Sequence, residues 1–252
     1  MQVLKNALRI LQCVVISQPV GVSDVARKLD LPKSSVQRTL TSLEDEGWLT
    51  RDTAHGGLWV QTSRIWVLAH QGKEIGVRSL AQEPMHWLWE RTNENIHLTQ
   101  MQGDDVVVVD KLESTHSVRV FDPIGTRLPL HVSASGKALL AARSPEGLDA
   151  YLQASPAGFT AESLTEERAL RAELQRVSLD GYAVNRGEWR SEISGIGVAL
   201  RLDGDREAEF GLAISVPSHR LHEDQLAEYG ELLLEAKHRI EQAMPLGPGA
   251  AG

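Results

Sequence analysis

The sequence predicts an α+β protein in two parts: a winged helix-turn-helix at the N-terminus, then a larger domain of mostly antiparallel strands with helices segregated around them. Three observations carry that expectation. Leu31–Gly47 has helical periodicity bracketed by a proline and a glycine, and follows a shorter helical pattern across a three-residue turn. Two short strand-like runs then flank a Gly-Gly pair. From Asn95 onward the apolar pattern changes to that of strands, gives way to helical stretches after Ser133, and returns to strands near Tyr182.

The first helix, roughly residues 2–17, carries two adjacent apolar stripes: Leu4, Leu8, Leu11 and Val15 beside Val3, Ala7, Ile10 and Val14. One stripe suffices to pack a small three-helix core, so the second, which contains Ile10, is expected at a contact between subunits. Ser23 is placed to cap a short helix over Asp24–Leu29, whose Val25, Ala26 and Leu29 form an apolar edge. The next helix opens at Pro32 and stops before Gly47. Its Val36, Leu40 and Leu43 recur at i, i+4 and i+7, one narrow stripe. The rest of its surface offers hydrogen-bond donors and one guanidinium, and acids enter only in the last turn, Glu44-Asp45-Glu46. Such a helix suits the major groove of double-stranded DNA. The candidate contacts are Lys33, Ser34, Ser35, Gln37, Arg38 and Thr41, joined by Arg51 from the wing hairpin that turns at Thr53–Gly57.

Charge is divided along the chain. The whole sequence carries −8, yet residues 1–60 hold seven Lys or Arg against six Asp or Glu, so that segment is +1 and the remainder −9. A weakly positive reader implies modest non-specific affinity and more than one copy on the DNA. The acidic remainder implies a domain with another task. At 252 residues, with 42% hydrophobic and 24% charged, there is chain enough for two domains. No apolar run approaches the ~18 residues of a membrane span, and no secretory leader pattern is present. The lone Cys13 excludes an intramolecular disulfide framework. A cytoplasmic protein without a membrane partner is expected.

Residues 62–92 read as a helical linker, interrupted at Gly72 and Gly76, with a kink or fresh start at Pro84. The expected organisation is therefore a DNA-binding domain at 1–61, this linker, a C-terminal domain at 93–244 and a disordered tail at 245–252. Within the C-terminal domain, strands are expected at 96–101, 106–112 and 117–121. A loop at 123–129 leads to a helix at 133–142, and two more helices fall near 145–153 and 165–180. Strands return at 182–185, 193–202 (ending in the turn Asp203-Gly204-Asp205) and 208–216, before a final helix at 223–243.

Chemical constellations are sparse. Ala134-Ser-Gly-Lys137 lacks both the spacing and the Ser or Thr of a phosphate loop, although small residues at a helix start expose N–H groups to an anion. The histidines show no HExxH spacing, and no Gly-x-Ser-x-Gly elbow occurs. His97, His116 and His131 sit on or near strands without ligand spacing. Glu188-Trp-Arg-Ser-Glu192 reads as a solvated loop. No metal, cofactor or enzymatic activity is required.

In their order along the chain, Ala7–Leu11, Leu31–Arg38, Leu43–Gly47, Leu128–Ala138, Asp180–Val184 and Ala213–Pro217 resemble the IclR family of bacterial transcription regulators. That resemblance implies a C-terminal domain of GAF/profilin-like shape that binds a small effector, dimers formed through the DNA-binding half and often paired into tetramers, and a pseudo-palindromic operator. It places Leu128, Ala134, Ser135, Asn185, Gly195, Ala213 and Ser215 at the effector pocket, with Gly136 in the adjoining loop. Asn185, Gly195 and Ala213 depart from the family's usual acid, cysteine and serine, which implies a roomier and less acidic pocket for an aromatic or branched acid. Trp189 is either its lid or an ordinary surface residue. The rival reading is a C-terminal domain that serves only oligomerisation, or one of enzyme-like form.

Overall fold

The computed structural model describes residues 2–53, 56–71, 74–154, 156–202 and 207–243. The chain separates into two compact units, Met1–Ile75 and Gly76–Gly252.

The first unit contains α1 (Gln2–Ser17), α2 (Val22–Leu29), α3 (Lys33–Asp45), β1 (Leu49–Asp52), β2 (Leu58–Gln61) and α4 (Ser63–Gln71). Ile10 and Val14 of α1, Val25 and Ala26 of α2, and Val36 and Leu40 of α3 close one core over Leu49 and Trp59 of the antiparallel β1–β2 hairpin. Two left-handed residues set the turns: Asp30 (φ 53°) ends α2, and Gly47 (φ 73°) lets the chain leave α3 for the wing. Gly56 and Gly57, both near φ +75°, finish the wing turn, whose Ala54 and His55 lie outside the described residues.

Two expectations fail here. Ser23 does not cap α2, because the carbonyl of Gly21 already accepts from Asp24 N and Val25 N at 3.1 Å each, which puts Ser23 in the first turn. The stripes of α1 also divide differently than expected: Leu11 of the first packs against this core, while Val3 of the second is 80% exposed. Ile10 and Val14 are core residues, 1% and 0% exposed, while Leu4 and Leu8 of the other stripe are 66% and 58% exposed. The face without a partner in this unit is therefore the one through Leu4 and Leu8.

The second unit is built on a six-stranded antiparallel sheet of order β5-β4-β3-β8-β7-β6. The strands are β3 (Asn95–Gln102), β4 (Asp105–Leu112), β5 (Arg127–Pro129), β6 (Ala183–Arg186), β7 (Ile193–Leu200) and β8 (Phe210–Pro217). One face packs Ile96, Leu98, Ile196, Val198, Leu212 and Ile214 against α5 (Glu74–Thr92) and α9 (Glu223–Ala243). A separate core includes Val106, Val108, Leu128 and Ala183 with α6 (Ala134–Ala141), α7 (Pro145–Gln153) and α8 (Glu167–Asp180).

The helix α5 runs through both Gly76 and Pro84 without interruption. Proline inside a helix costs ~3 kcal/mol. Val77, Ala81, Met85 and Leu88 form a buried stripe along α5, and a fully buried large apolar side chain contributes ~1.5–3 kcal/mol, so packing outweighs the lost hydrogen bond. The strand expected at 117–121 is absent. Asn95 donates from Nδ2 to Val120 O (2.6 Å) and accepts Ser114 N at Oδ1 (2.7 Å), so side chains, not a ladder, hold this segment. A short strand missed in the sequence, Arg127–Pro129, instead borders β4. Gly72, the turn at 203–205 and the tail at 245–252 lie outside the described residues.

This division of the stripes generates a paired prediction. Ile10→Glu buries a charge in the core and should unfold the first unit, costing several kcal/mol (on the order of 3–5 for an unpaired buried charge). Leu8→Glu should leave its thermal unfolding nearly unchanged. Circular dichroism melts of the two variants that coincide would contradict this assignment.

Candidate functional site

The surface of α3 is prepared for a partner. Its apolar stripe is consumed by the core, which leaves Lys33, Ser34 and Arg38 exposed and Ser35, Gln37 and Thr41 half-exposed. The arginines of this unit differ in their engagement. Arg9 donates to Leu29 O (3.3 Å), Arg27 pairs with Asp24 (2.6 Å), and Arg64 stacks 4.9 Å from the Trp48 ring. Arg51 stacks 4.5 Å from the Trp59 ring and approaches Glu44 at 3.6 Å, so this candidate is tied to its own unit. Among the described residues Arg38 has no hydrogen bond, ion pair or ring contact, leaving its donors available.

The second constellation is a small cavity in the second unit, between the start of α6 and the sheet. It is lined by Leu128, Ala134, Ser135, Asn185, Gly195, Ala213 and Ser215, all expected from the sequence. Alternation along β3, β7 and β8 brings His97, Gly195, Ala213 and Ser215 to the same face. Close approach of α6 depends on glycine. A Cβ on Gly197 would stand 2.4 Å from Ser135 N, and one on Gly211 2.8 Å from Ser135 Cβ.

Gly136 is not among the lining residues. It packs against the preceding turn, where a Cβ would meet Leu130 O at 2.3 Å, and its N–H donates to Ser133 Oγ at 3.2 Å. Lys137 N is bonded to Ser133 O (2.9 Å), so the amides left for an anion are those of Ala134 and Ser135. The pocket is also neither roomy nor free of acid. Its volume is about 30 Å³. Gly195 does not open space, since a Cβ there would lie 2.7 Å from Ile214 O in the neighbouring strand. Asn185 turns its Oδ1 to Glu188 N (2.8 Å).

Residues that the sequence reading did not place in the pocket complete its wall: His97, Thr99, Asp122, Ser133 and Ile193. Trp189, half-buried, lines it too. Arg190 stacks 3.8 Å from the Trp189 ring and reaches Asp122 at 3.4 Å, linking the three side chains. Burial raises the Asp122 pKa above the usual carboxylate value, against the opposing pull of Arg190. His97, 3% exposed, shares a 3.2 Å hydrogen bond between Nδ1 and Ser215 Oγ, and its Nε2 has no partner among the described residues. Burial, reinforced by Lys111, lowers its pKa to about 4, so the ring is neutral at pH 7. Glu188, expected in a solvated loop, is buried and accepts from Lys137 Nζ at 2.6 Å. His131 lies elsewhere, bonded through its ring to Tyr151 OH (2.7 Å) and Ala157 O (2.9 Å).

With this geometry in place, the comparisons with known proteins are decisive. The family described as the IclR helix-turn-helix domain matches residues 3–53, and the bacterial transcriptional regulator IclR C-terminal family matches residues 70–242. The chain belongs to the IclR family. It is 31% identical over 247 residues to the transcriptional repressor AllR of Escherichia coli K12, covering 97% of this chain and 91% of that protein. It is 30% identical over 236 residues to the transcriptional regulator Rv1719 of Mycobacterium tuberculosis, with 92% and 88% covered. Among solved structures it is similar to the Thermotoga maritima IclR (TM-score 0.77, 27% identity, 97% and 99% covered). It is equally similar to an IclR homolog from Microbacterium hydrocarbonoxydans complexed with 4-hydroxybenzoate (TM-score 0.77, 26% identity, 95% and 98% covered). The chain is thus a transcription regulator of the IclR fold, and none of its described helices is long and apolar enough to cross a membrane.

The depressed pKa of His97 makes the stability of the fold fall as pH falls. Unfolded, the ring takes a proton near 6.5, whereas folded it resists until about 4, so the unfolded state binds more protons in that window. The native chain should lose stability relative to His97→Asn as pH falls from 6.5 towards 4, by up to ~1.4 kcal/mol per pH unit. Urea denaturation of both proteins across that range is the test, and parallel pH profiles would contradict the assignment.

Proposed function

We propose that this IclR-family regulator acts in the cytoplasm as a homodimer or dimer of dimers on a pseudo-palindromic operator, with its hold on DNA set by a small organic acid bound under Trp189. Lys33, Ser34, Ser35, Gln37, Arg38 and Thr41 face the groove, and Arg51 lies at the wing. The acid meets Leu128, Ala134, Ser135, Asn185, Gly195, Ala213 and Ser215. The observation that carries the effector reading is buried His97, whose Nε2 is left without a partner among the described residues, lining a cavity bounded by the Ser133-capped start of α6. In the tautomer whose Nδ1 accepts from Ser215 Oγ, Nε2 carries the ring proton and offers a donor to a carboxylate. The 4-hydroxybenzoate complex of a relative supports an aromatic acid.

A volume of about 30 Å³ is that of roughly one water in the liquid. Ligand sites are typically ~300 Å³ or more, so entry of such an acid requires the linked side chains of Trp189, Arg190 and Asp122 to move. Asp122 also repels an incoming carboxylate whenever it is ionised. Asp122→Asn should therefore tighten binding, and Ala213→Leu should abolish it while leaving operator affinity without ligand unchanged. Calorimetry against a panel of aromatic and branched acids measures both. If every acid fails to bind the native chain, the ligand-independent alternative, with a purely oligomeric C-terminal domain, replaces this reading.

Arg38 is the guanidinium free to pair bidentately with guanine. Arg38→Ala should cost ~1–3 kcal/mol and relax preference at one operator position. A uniform loss over all sequences, with a shallower salt dependence, would instead place Arg38 on phosphate. Unchanged affinity in a footprint titration would contradict the position of α3.

A further inference from the structure

A second and larger cavity, about 460 Å³, lies in the same unit beside β6, α8 and the start of α9. Five acids line it, Glu162, Glu173, Asp180, Glu188 and Glu223, against two arginines, Arg176 and Arg186. Lys137, fully buried on α6, reaches two of these acids. Its Nζ donates to Glu173 Oε1 (3.0 Å), Glu188 Oε1 (2.6 Å) and Val184 O (2.5 Å). Arg176 donates to Glu173, and Arg186 binds Glu223 at 2.5 and 3.1 Å. Every cation in the cluster is thus engaged, and two negative charges remain in excess.

The unanswered groups are specific. Glu162 and Asp180 are exposed and have no ion-pair partner among the described residues. Glu188 is 5% exposed, lines the cavity, and its Oε2 accepts no hydrogen bond among the described residues. A buried acceptor of this kind lacks a donor. Among the described residues no three His, Cys, Asp or Glu side chains converge as metal ligands, which disfavours a bare cation. An ammonium brings both charge and N–H donors, and Val177, Tyr182 and Leu226 provide apolar wall for methylene groups.

We propose that this cavity binds a small organic ammonium ion, best a short aliphatic diamine whose two charges match the two uncompensated acids. The site is separate from the cavity under Trp189, and the proposal does not rest on the effector reading.

Calorimetry on the full chain tests it, with 1,4-diaminobutane as the probe and 1,4-butanediol as its neutral counterpart. The diamine should bind saturably, one per chain, and the diol should not. Combining Glu162→Gln with Asp180→Asn, both at exposed positions, should weaken the diamine roughly tenfold. Glu188→Gln should weaken it as well; should that variant fail to fold, the exposed pair alone decides. Glu146→Gln with Glu231→Gln, exposed acids outside the lining, should leave binding unchanged. Absence of saturable heat up to about 10 mM diamine, equal binding of the diol, or equal weakening by the control pair would overturn the proposal.

Discussion

Much of the second unit depends on how closely the first turn of α6 can lie on the sheet. Gly197 and Gly211 permit it, since a Cβ at either position would collide with Ser135. That seating makes Ser133, Ala134 and Ser135 one wall of the inner cavity. It also drives Lys137, on the same short helix, fully out of solvent. An isolated buried ammonium is untenable, so Glu173 and Glu188 must come to it. Glu188 in turn fixes Asn185 through its N–H, and the next residue, Trp189, lines the cavity. A packing constraint thus becomes an electrostatic one, and the electrostatic one shapes the site.

The first unit follows a simpler logic. Three short helices and a hairpin share one small core, and α3 contributes only Val36, Leu40 and half-buried Leu43 to it. Its remaining surface stays polar and free. Internal stacking occupies Arg51 and Arg64, whereas Lys33 and Arg38 stay exposed on α3. Specific readout by such a surface depends on geometry and repeated copies more than on bulk charge.

Local periodicity made the winged helix-turn-helix and most strands readable from sequence, because 3.6- and 2-residue repeats are properties of the chain itself. Seven pocket residues were likewise reached, through a resemblance carried by six short motifs. What could not be read depends on tertiary partners. Whether Ile10 or Leu8 faces the core is a question of helix rotation, and only the packed unit answers it. Pro84 signalled a kink or fresh start, and packing carries the helix through it without a new start. Glu188 looked solvated because its partner, Lys137, lies 51 positions away. Asp122 and His97 entered the pocket from a loop and a distant strand, and with them came an acid and an orphaned imidazole that substitutions at Asn185, Gly195 and Ala213 did not foretell. Gly136 conveyed smallness correctly but for packing, not for ligand contact.

The central claim is that an acid enters beneath Trp189 against the start of α6. Amide hydrogen exchange on the full chain, with and without a saturating acid from the aromatic series, tests it most directly. The account predicts slowed exchange confined to 133–136, 185–190 and 120–123, with α8 unaffected. Protection located on α8 or elsewhere, with those three segments unchanged, would contradict it.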